Sequence, residues 1–302
     1  MASTYIYQAA WENRLAQRLD LPQNWKDVCD VLYTDTQQYN FPLISTANEP
    51  AVATLTNTAA GRSTLSNVIP FVDTTETNQT ITISIAEIDS AYVDFADQAQ
   101  SNYAKIVSLG DLLGKKMNER VETIVLANHG NWTNFGDNGT GKPGLATATL
   151  TVSASNIDDI IRGIIREIQT ANGFDLYMTN GGFVTWRPGD WEYLVAFMQA
   201  NGYQFADEAL RSGGRIGKET MGLFHYVSTS HAANHLMAGV RRTQKLGILA
   251  STFGKIYSAD MPASSTAGSL SGTQIHTRID YGLLVQTTLL PVIFDVNVAD
   301  VA

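Results

Sequence analysis

Six isoleucines place the first demand on this chain. Ile157, Ile160, Ile161, Ile164, Ile165 and Ile168 recur at the three- and four-residue spacing of one helical face, which predicts an amphipathic helix with a wide apolar side to bury. Ser155 or Asn156 stands where an N-cap is needed, Asp158 and Asp159 favour the positive end that follows, and Gly173 stops the pattern. A longer helical signal runs from about Tyr103 to Asn128 through Ile106, Leu109, Leu113, Met117, Ile124 and Val125, with Gly130 beyond its end. A further helix is expected in "RPGDWEYLVAFMQANG", capped by Asp190.

Between the helices the period changes to two. "TITISIAEI" sets Ile81, Ile83 and Ile85 on one face and Thr82 and Ser84 on the other, the pattern of a half-buried strand. "LATATLTVSA" alternates in the same way, and "FDLYMT", "FVTW" and "RIGKETMGLFHYVSTS" also read as strands. "HGNWTNFGDNGTGKPG" reads as a Gly/Asn-rich turn region, and "ANHLMAGVRRTQKLGILAS" is compatible with helix or strand. The last strands run through Val298, giving an α+β class of mixed order without internal repeats.

Residues 1–47 hold one short helical pattern, Trp11, Leu15 and Leu19, then Pro22 and Pro42, and read as an extended arm. The stretch from Glu49 to Thr80 is rich in Thr, Asn and Ala, carries Arg62 as its one basic residue, and is too polar to form a core alone. It reads as a long excursion in the form of a β-hairpin. Only 16% of all residues are charged, against about 25% in a typical globular protein, which suits a surface largely covered by partners. The net charge of -9 opposes binding to a phosphate backbone.

Cys29 stands alone, so an intrachain disulfide is impossible and nothing points to an oxidising compartment. Glu12, Arg14 and Arg18 interrupt the opening segment, which predicts no secretory signal, so the sequons at Asn78, Asn131 and Asn138 carry no meaning. "YGLLVQTTLLPVIFDVNV" is broken by Gln286, Thr287, Thr288, Pro291 and Asp295, short of the about 20 apolar residues of a membrane span; it reads as a pair of strands.

"FHYVSTSHAANH" gathers His225, His231 and His235, a candidate metal cluster. It lacks the glutamate that the helical zinc-protease motif places directly after its first histidine, since Ala232, Ala233 and Asn234 fill the gap, and a strand followed by loop histidines explains it as well. "GDNGTGKP" falls one residue short of a phosphate-binding loop, because Pro143 stands where a magnesium-ligating hydroxyl is needed. "GRIGKETMG" lacks dinucleotide-fingerprint spacing, and no serine sits in a nucleophile-elbow context. No catalytic residue, cofactor or metal is expected.

Taken in order, these segments resemble the major capsid proteins of tailed bacteriophages, with the Hong Kong 97-type fold. "TITISIAEIDSAYVDFADQAQSNYAKIVSLGDLLGKKMNERVETIVLANHG" is similar to that family's strand leading into its long spine helix. "NIDDIIRGIIREIQTANGFDLYMTNGGFVTWRPGDWEYL" is similar to its helix, strand and Pro-x-Asp-Trp turn, while "GGRIGKETMGLFHYVSTSH" and "HLMAGVRRTQKLGILAS" resemble the segments that follow. The resemblance implies an N-terminal arm at 1–47, an extended loop at 48–88, a peripheral domain at 89–152 and 271–302, and an axial domain at 153–270.

It also implies a virion protein that assembles in the host bacterial cytoplasm into pentamers and hexamers of an icosahedral shell. That shell would enclose double-stranded DNA without specific binding and carry a portal and, in some shells, decoration or cement proteins. The family's best-known member joins its subunits covalently through a lysine in the extended loop, but no lysine lies between Lys26 and Lys105 here, so covalent chainmail of that kind is not expected. No heptad-rich region precedes the arm, which predicts a separate scaffolding protein. The isolated Arg62 is expected to form an inter-subunit ion pair with Asp94, Asp97 or Glu119 of a neighbour. Alternatives are an encapsulin-like nanocompartment or a metal-dependent hydrolase using the histidine cluster.

Overall fold

The computed structural model describes residues 24–44, 76–94, 105–201, 219–253, 255–261 and 272–299. Two large sheets, a two-stranded one and the helices between and beside them organise these residues. The isoleucine stripe forms the helix Ile157–Thr170, in which Ile157, Ile160, Ile161, Ile164 and Ile168 are fully buried. Asn156 sits at its N-cap position, but its side chain accepts from the Ser153 amide and donates to the Thr151 carbonyl rather than capping the helix. Its other end closes through left-handed Asn172 (φ 57°), with the Gly173 amide donating to the Ile168 carbonyl at 2.9 Å.

The helix lies on a seven-stranded sheet. That sheet is built from β5 (Thr133–Asp137), β6 (Pro143–Gly144), β7 (Gly182–Trp186), β8 (Glu219–Thr220), β9 (Leu223–Val227), β10 (His235–Val240) and β14 (Ile293–Asn297). Its spatial order is β6-β5-β14-β10-β7-β9-β8. Period-two alternation splits the central strands between two cores. Val184, Trp186, Leu236, Ala238, Val240, Phe294 and Val296 join the isoleucines in one core, whereas Phe183, Met237 and Ile293 face another.

The second core belongs to the long helix Lys105–Leu126, which contributes Met117, Val121, Ile124, Val125 and Leu126. This helix packs across β4 (Ile85–Asp94) and β13 (Gly272–Val285) of the second sheet. Residues 272–277 of β13 pair with both β4 and β12 (Ile256–Met261), so those two occupy opposite edges. β11 (Gln244–Leu249) continues the β12 edge, and β1 (Asp30–Thr34) adds to β11 in parallel.

Several sequence expectations need correction. "FDLYMT" is a helix, Phe174–Asn180, although its apolar residues alternate. Tyr177 anchors it by donating to the Gly222 carbonyl at 2.5 Å, and Phe174, Leu176 and Met178 stay 47%, 37% and 68% exposed, so the alternation never met a sheet face. "TITISIAEI" is not one strand: β3 (Glu76–Thr82) and β4 are separated at Ile83 and Ser84, and Ile85 is exposed while Ile81 and Ile83 are buried. "LATATLTVSA" keeps its alternation, with Leu150 and Val152 buried, yet joins no ladder beyond one bridge from Leu150 to Val298. The glycine-rich turn region contains the true strand β5, parallel to β14. Asp190 does not cap the helix Pro188–Ala200; it sits in the first turn and pairs with Arg187. The ambiguous "ANHLMAGVRRTQKLGILAS" resolves into β10 and β11, in different sheets.

The second half of the 1–47 segment is built into the body: Trp25, Val28 and Cys29 are buried beside the long helix. β2 (Gln38–Ile44) then pairs antiparallel with β3 from Gln38↔Thr82 to Ile44↔Glu76. Residues 44 and 76 therefore lie side by side at the end of this ladder. The Trp11, Leu15 and Leu19 pattern and Arg62 lie outside the described residues.

Candidate functional site

The three neighbouring histidines do not converge. His225 lies on β9, fully enclosed, where Nδ1 accepts from Trp186 Nε1 at 2.9 Å and Nε2 donates to the Thr220 carbonyl at 3.0 Å. Both ring nitrogens are committed and burial pushes its pKa down to about 4, so it is a neutral core residue rather than a ligand. His231 follows in a loop; burial, with the Arg187 guanidinium nearby, pushes it down to about 4 as well.

His235 opens β10 and has different company. Residues 235 and 295 both fall on the sheet face that Met237 and Ile293 occupy, because β10 and β14 run side by side in the register Met237↔Asp295. His235 Nδ1 lies 2.9 Å and 3.0 Å from the two Asp295 carboxylate oxygens. His129, in the turn Asn128–Asn131 after the long helix, stacks on His235 with ring centroids 3.7 Å apart and planes 10° from parallel. Its Nδ1 stands 4.0 Å from Asp295 Oδ2. Burial raises the Asp295 pKa, opposed by the two histidines. Neither His129 nor Asp295 was singled out by the sequence. The available signal was Asp295 itself, one acid inside the apolar run "LLPVIFDVNV", where a buried carboxylate needs a partner.

A second polar region lies between the long helix and β4, in a groove lined by Glu87, Asp89, Lys116, Glu119 and Arg120 among others. Arg120 donates to both Glu87 oxygens at 2.6 Å and 3.0 Å, and Lys116 reaches Asp89 at 2.6 Å. These ion pairs fix the helix on the strand. Of the four residues expected at an inter-subunit contact, Glu119 lies in this groove and Asp94 ends β4, while Arg62 and Asp97 are outside the described residues.

The near-miss phosphate loop is a hairpin turn between β5 and β6, with left-handed Gly139 and Gly141 and with Asp137 Oδ1 accepting from the Gly139 amide. No helix follows it to offer amides to a phosphate. Gly136 before it is locked, since a Cβ there would overlap the Ala148 carbonyl oxygen, whereas Gly130 faces open space. Gly136→Ala is expected to cost about 1–3 kcal/mol or more in urea unfolding, with Gly130→Ala close to neutral.

No protein-family model and no curated protein matches the sequence. Solved structures do. Over 98% of this chain and 98% of the other, the fold matches a protein of Mycobacterium phage Che8 with a TM-score of 0.65 at 13% identity. A chain from the capsid structure of the cyanophage P-SCSP1u matches with a TM-score of 0.59 at 10% identity, covering 98% of this chain and 94% of that one. A chain from the capsid of Ralstonia phage GP4 matches with a TM-score of 0.59 at 10% identity, covering 99% and 97%. With the long helix across one sheet and the isoleucine helix on the other, the chain has the Hong Kong 97-type fold of tailed-phage capsid proteins.

Proposed function

We propose that the chain is a shell-forming major capsid protein of a tailed bacteriophage, acting by assembly rather than catalysis. The observation that carries this reading is the near end-to-end match to phage capsid chains: no large part of the fold is left over for another task. The surface supports it. Ile88 and Tyr92 of β4 point the same way, away from the long helix, and the register sets Ile88 opposite Arg278 and Ser90 opposite His276, whose other neighbour is Tyr257 of β12. Ile88, Tyr92 and Tyr257 are 60%, 42% and 37% exposed, a stripe of large apolar side chains on one sheet face. Such a stripe suits contact between copies.

In this reading subunits form pentamers and hexamers, aided by a separate scaffolding protein, and close around a portal and double-stranded DNA in the host cytoplasm. Decoration proteins would bind outside. The extended loop expected at 48–88 reaches a neighbouring copy, with Arg62 pairing to Asp94, Asp97 or Glu119 across the contact. The acidic balance of the chain suits a lumen that holds DNA without gripping it. The hydrolase alternative loses its basis, because His225, His231 and His235 occupy separate environments. Phage capsids among the structural neighbours favour a genome shell over a cargo compartment.

Electron microscopy and sedimentation of the chain co-expressed with the proteins encoded beside it are expected to show closed particles. Ile88→Asp is expected to abolish them while leaving the isolated chain's stability within about 0.5 kcal/mol, as for an exposed substitution. A chain that stays monomeric under all these conditions would refute the reading.

A further inference from the structure

We propose that His129, His235 and Asp295 bind a first-row divalent cation, with zinc the best fit. Their ligand atoms all lie within 4.8 Å of one another, so an ion among them needs a turn of one ring and a small closing movement to reach bonds of about 2.0–2.2 Å. Two imidazoles and a carboxylate are a donor set for zinc and its first-row neighbours rather than for magnesium or calcium, which prefer all-oxygen shells.

The elements around the cluster are suited to the task. His235 and Asp295 are fixed on adjacent, hydrogen-bonded strands, and Asp295 is only 3% exposed, so its charge has little water to stabilise it. His129 is the adjustable member. It is 33% exposed in a four-residue turn, and among the described residues its ring makes no hydrogen bond, although it stacks tightly on His235. Nearly parallel rings cannot aim two lone pairs at one ion, so binding turns the His129 ring out of the stack toward the carboxylate. The half-open side left by His129 and His235 admits the ion and leaves a position for water.

The consequence is structural. The ion would tie the end of the long helix to β10 and β14, joining elements that lie far apart in sequence, and would stabilise the folded chain by mass action. This inference rests on the cluster alone and stands or falls apart from the capsid reading.

The test is calorimetric titration of metal-free full-length chain with Zn2+ at about pH 7.5, held fixed because metal affinity depends on pH. Co2+ serves as the visible-absorption probe. One equivalent of Zn2+, a Co2+ spectrum of low coordination number and a rise in Tm reversed by chelator are expected. His129→Ala, an exposed-turn change that leaves the core intact, is expected to weaken binding at least about tenfold, and Asp295→Asn at least as much. If Asp295→Asn does not fold, His129→Ala decides. Absence of saturable Zn2+ binding, or binding that His129→Ala leaves unchanged, overturns the proposal.

Discussion

Acidifying the isolated chain from neutrality to pH 4 is expected to remove about 3 kcal/mol of stability through His225 alone. Its folded-state pKa is pushed from 6.5 to about 4, and each pH unit of that interval is worth about 1.4 kcal/mol. The sign follows from proton binding. Below 6.5 the unfolded chain takes up a proton that the folded chain refuses until about 4, so the stability present above 6.5 is lost as pH falls. The refusal has a visible cause: Nδ1 already accepts the Trp186 indole N–H, and a proton there would set two donors face to face inside the core. His231, pushed down over the same interval, adds to the acid loss.

Glu122 opposes them. Its carboxylate accepts from the Trp25 amide at 2.8 Å, but burial dominates and raises its pKa from 4.5 to about 7. A raised acid binds protons better when folded, so its effect is loss of stability as pH climbs from 4.5 to about 7. Two histidines outweigh one glutamate up to and slightly beyond 6.5, and the opposing slopes cancel as the unfolded histidines finish titrating, which places the stability maximum of these three groups near pH 7. Urea unfolding across this range checks the shape. His225→Asn should flatten the acid limb at a cost of about 1–3 kcal/mol at neutrality, from the unmatched Thr220 carbonyl, and Glu122→Gln should steepen the rise between 4.5 and about 7. An acid limb unchanged in His225→Asn would refute the assignment.

How much of this was legible in the sequence depended on which interaction decided each segment. The isoleucine helix and the long helix were readable because a single buried face repeats over several turns, and tertiary packing only confirms that face. Alternation was a weaker guide. It correctly gave the inward faces of Leu150 and Val152, but the ladder they would have joined depends on partners far along the chain. In Phe174–Asn180 the alternation was accidental, overridden by the anchoring of Tyr177. The histidines show the same limit in a polar setting. Closeness in sequence grouped His225 with His235, whereas the strand register set His235 beside Asp295, and the end of a helix a hundred residues earlier supplied His129. Against structures at 10–13% identity, what persists is the order and spacing of elements, which explains why the whole architecture was recognisable while residue-level contacts were not.

Asp190→Ala is expected to cost about 3–5 kcal/mol, the penalty for stranding one half of a buried ion pair. Asp190 is wholly enclosed and Arg187 nearly so, with side-chain exposures of 0% and 17%. Arg187 Nε donates to Asp190 Oδ2 at 2.7 Å and Nη2 to Oδ1 at 3.3 Å. The same Nη2 donates to the Ala299 carbonyl at 2.7 Å, and the Ala299 amide in turn donates to the Leu150 carbonyl at 2.8 Å. The pair therefore ties the first turn of one helix to the chain beyond β14 and to the segment that Leu150 bridges. Removing the carboxylate takes away the countercharge of a guanidinium that is only 17% exposed. If the penalty is that of an uncompensated charge, replacing both partners by apolar residues, Arg187→Met with Asp190→Leu, should recover most of the loss, because two buried charges have large desolvation costs of their own. If the carboxylate mattered instead through the amides of the helix start, the double variant would remain as unstable as Asp190→Ala. Chemical denaturation of the three proteins separates the two mechanisms, and the absence of any side-chain cap at Pro188–Ala200 favours the first.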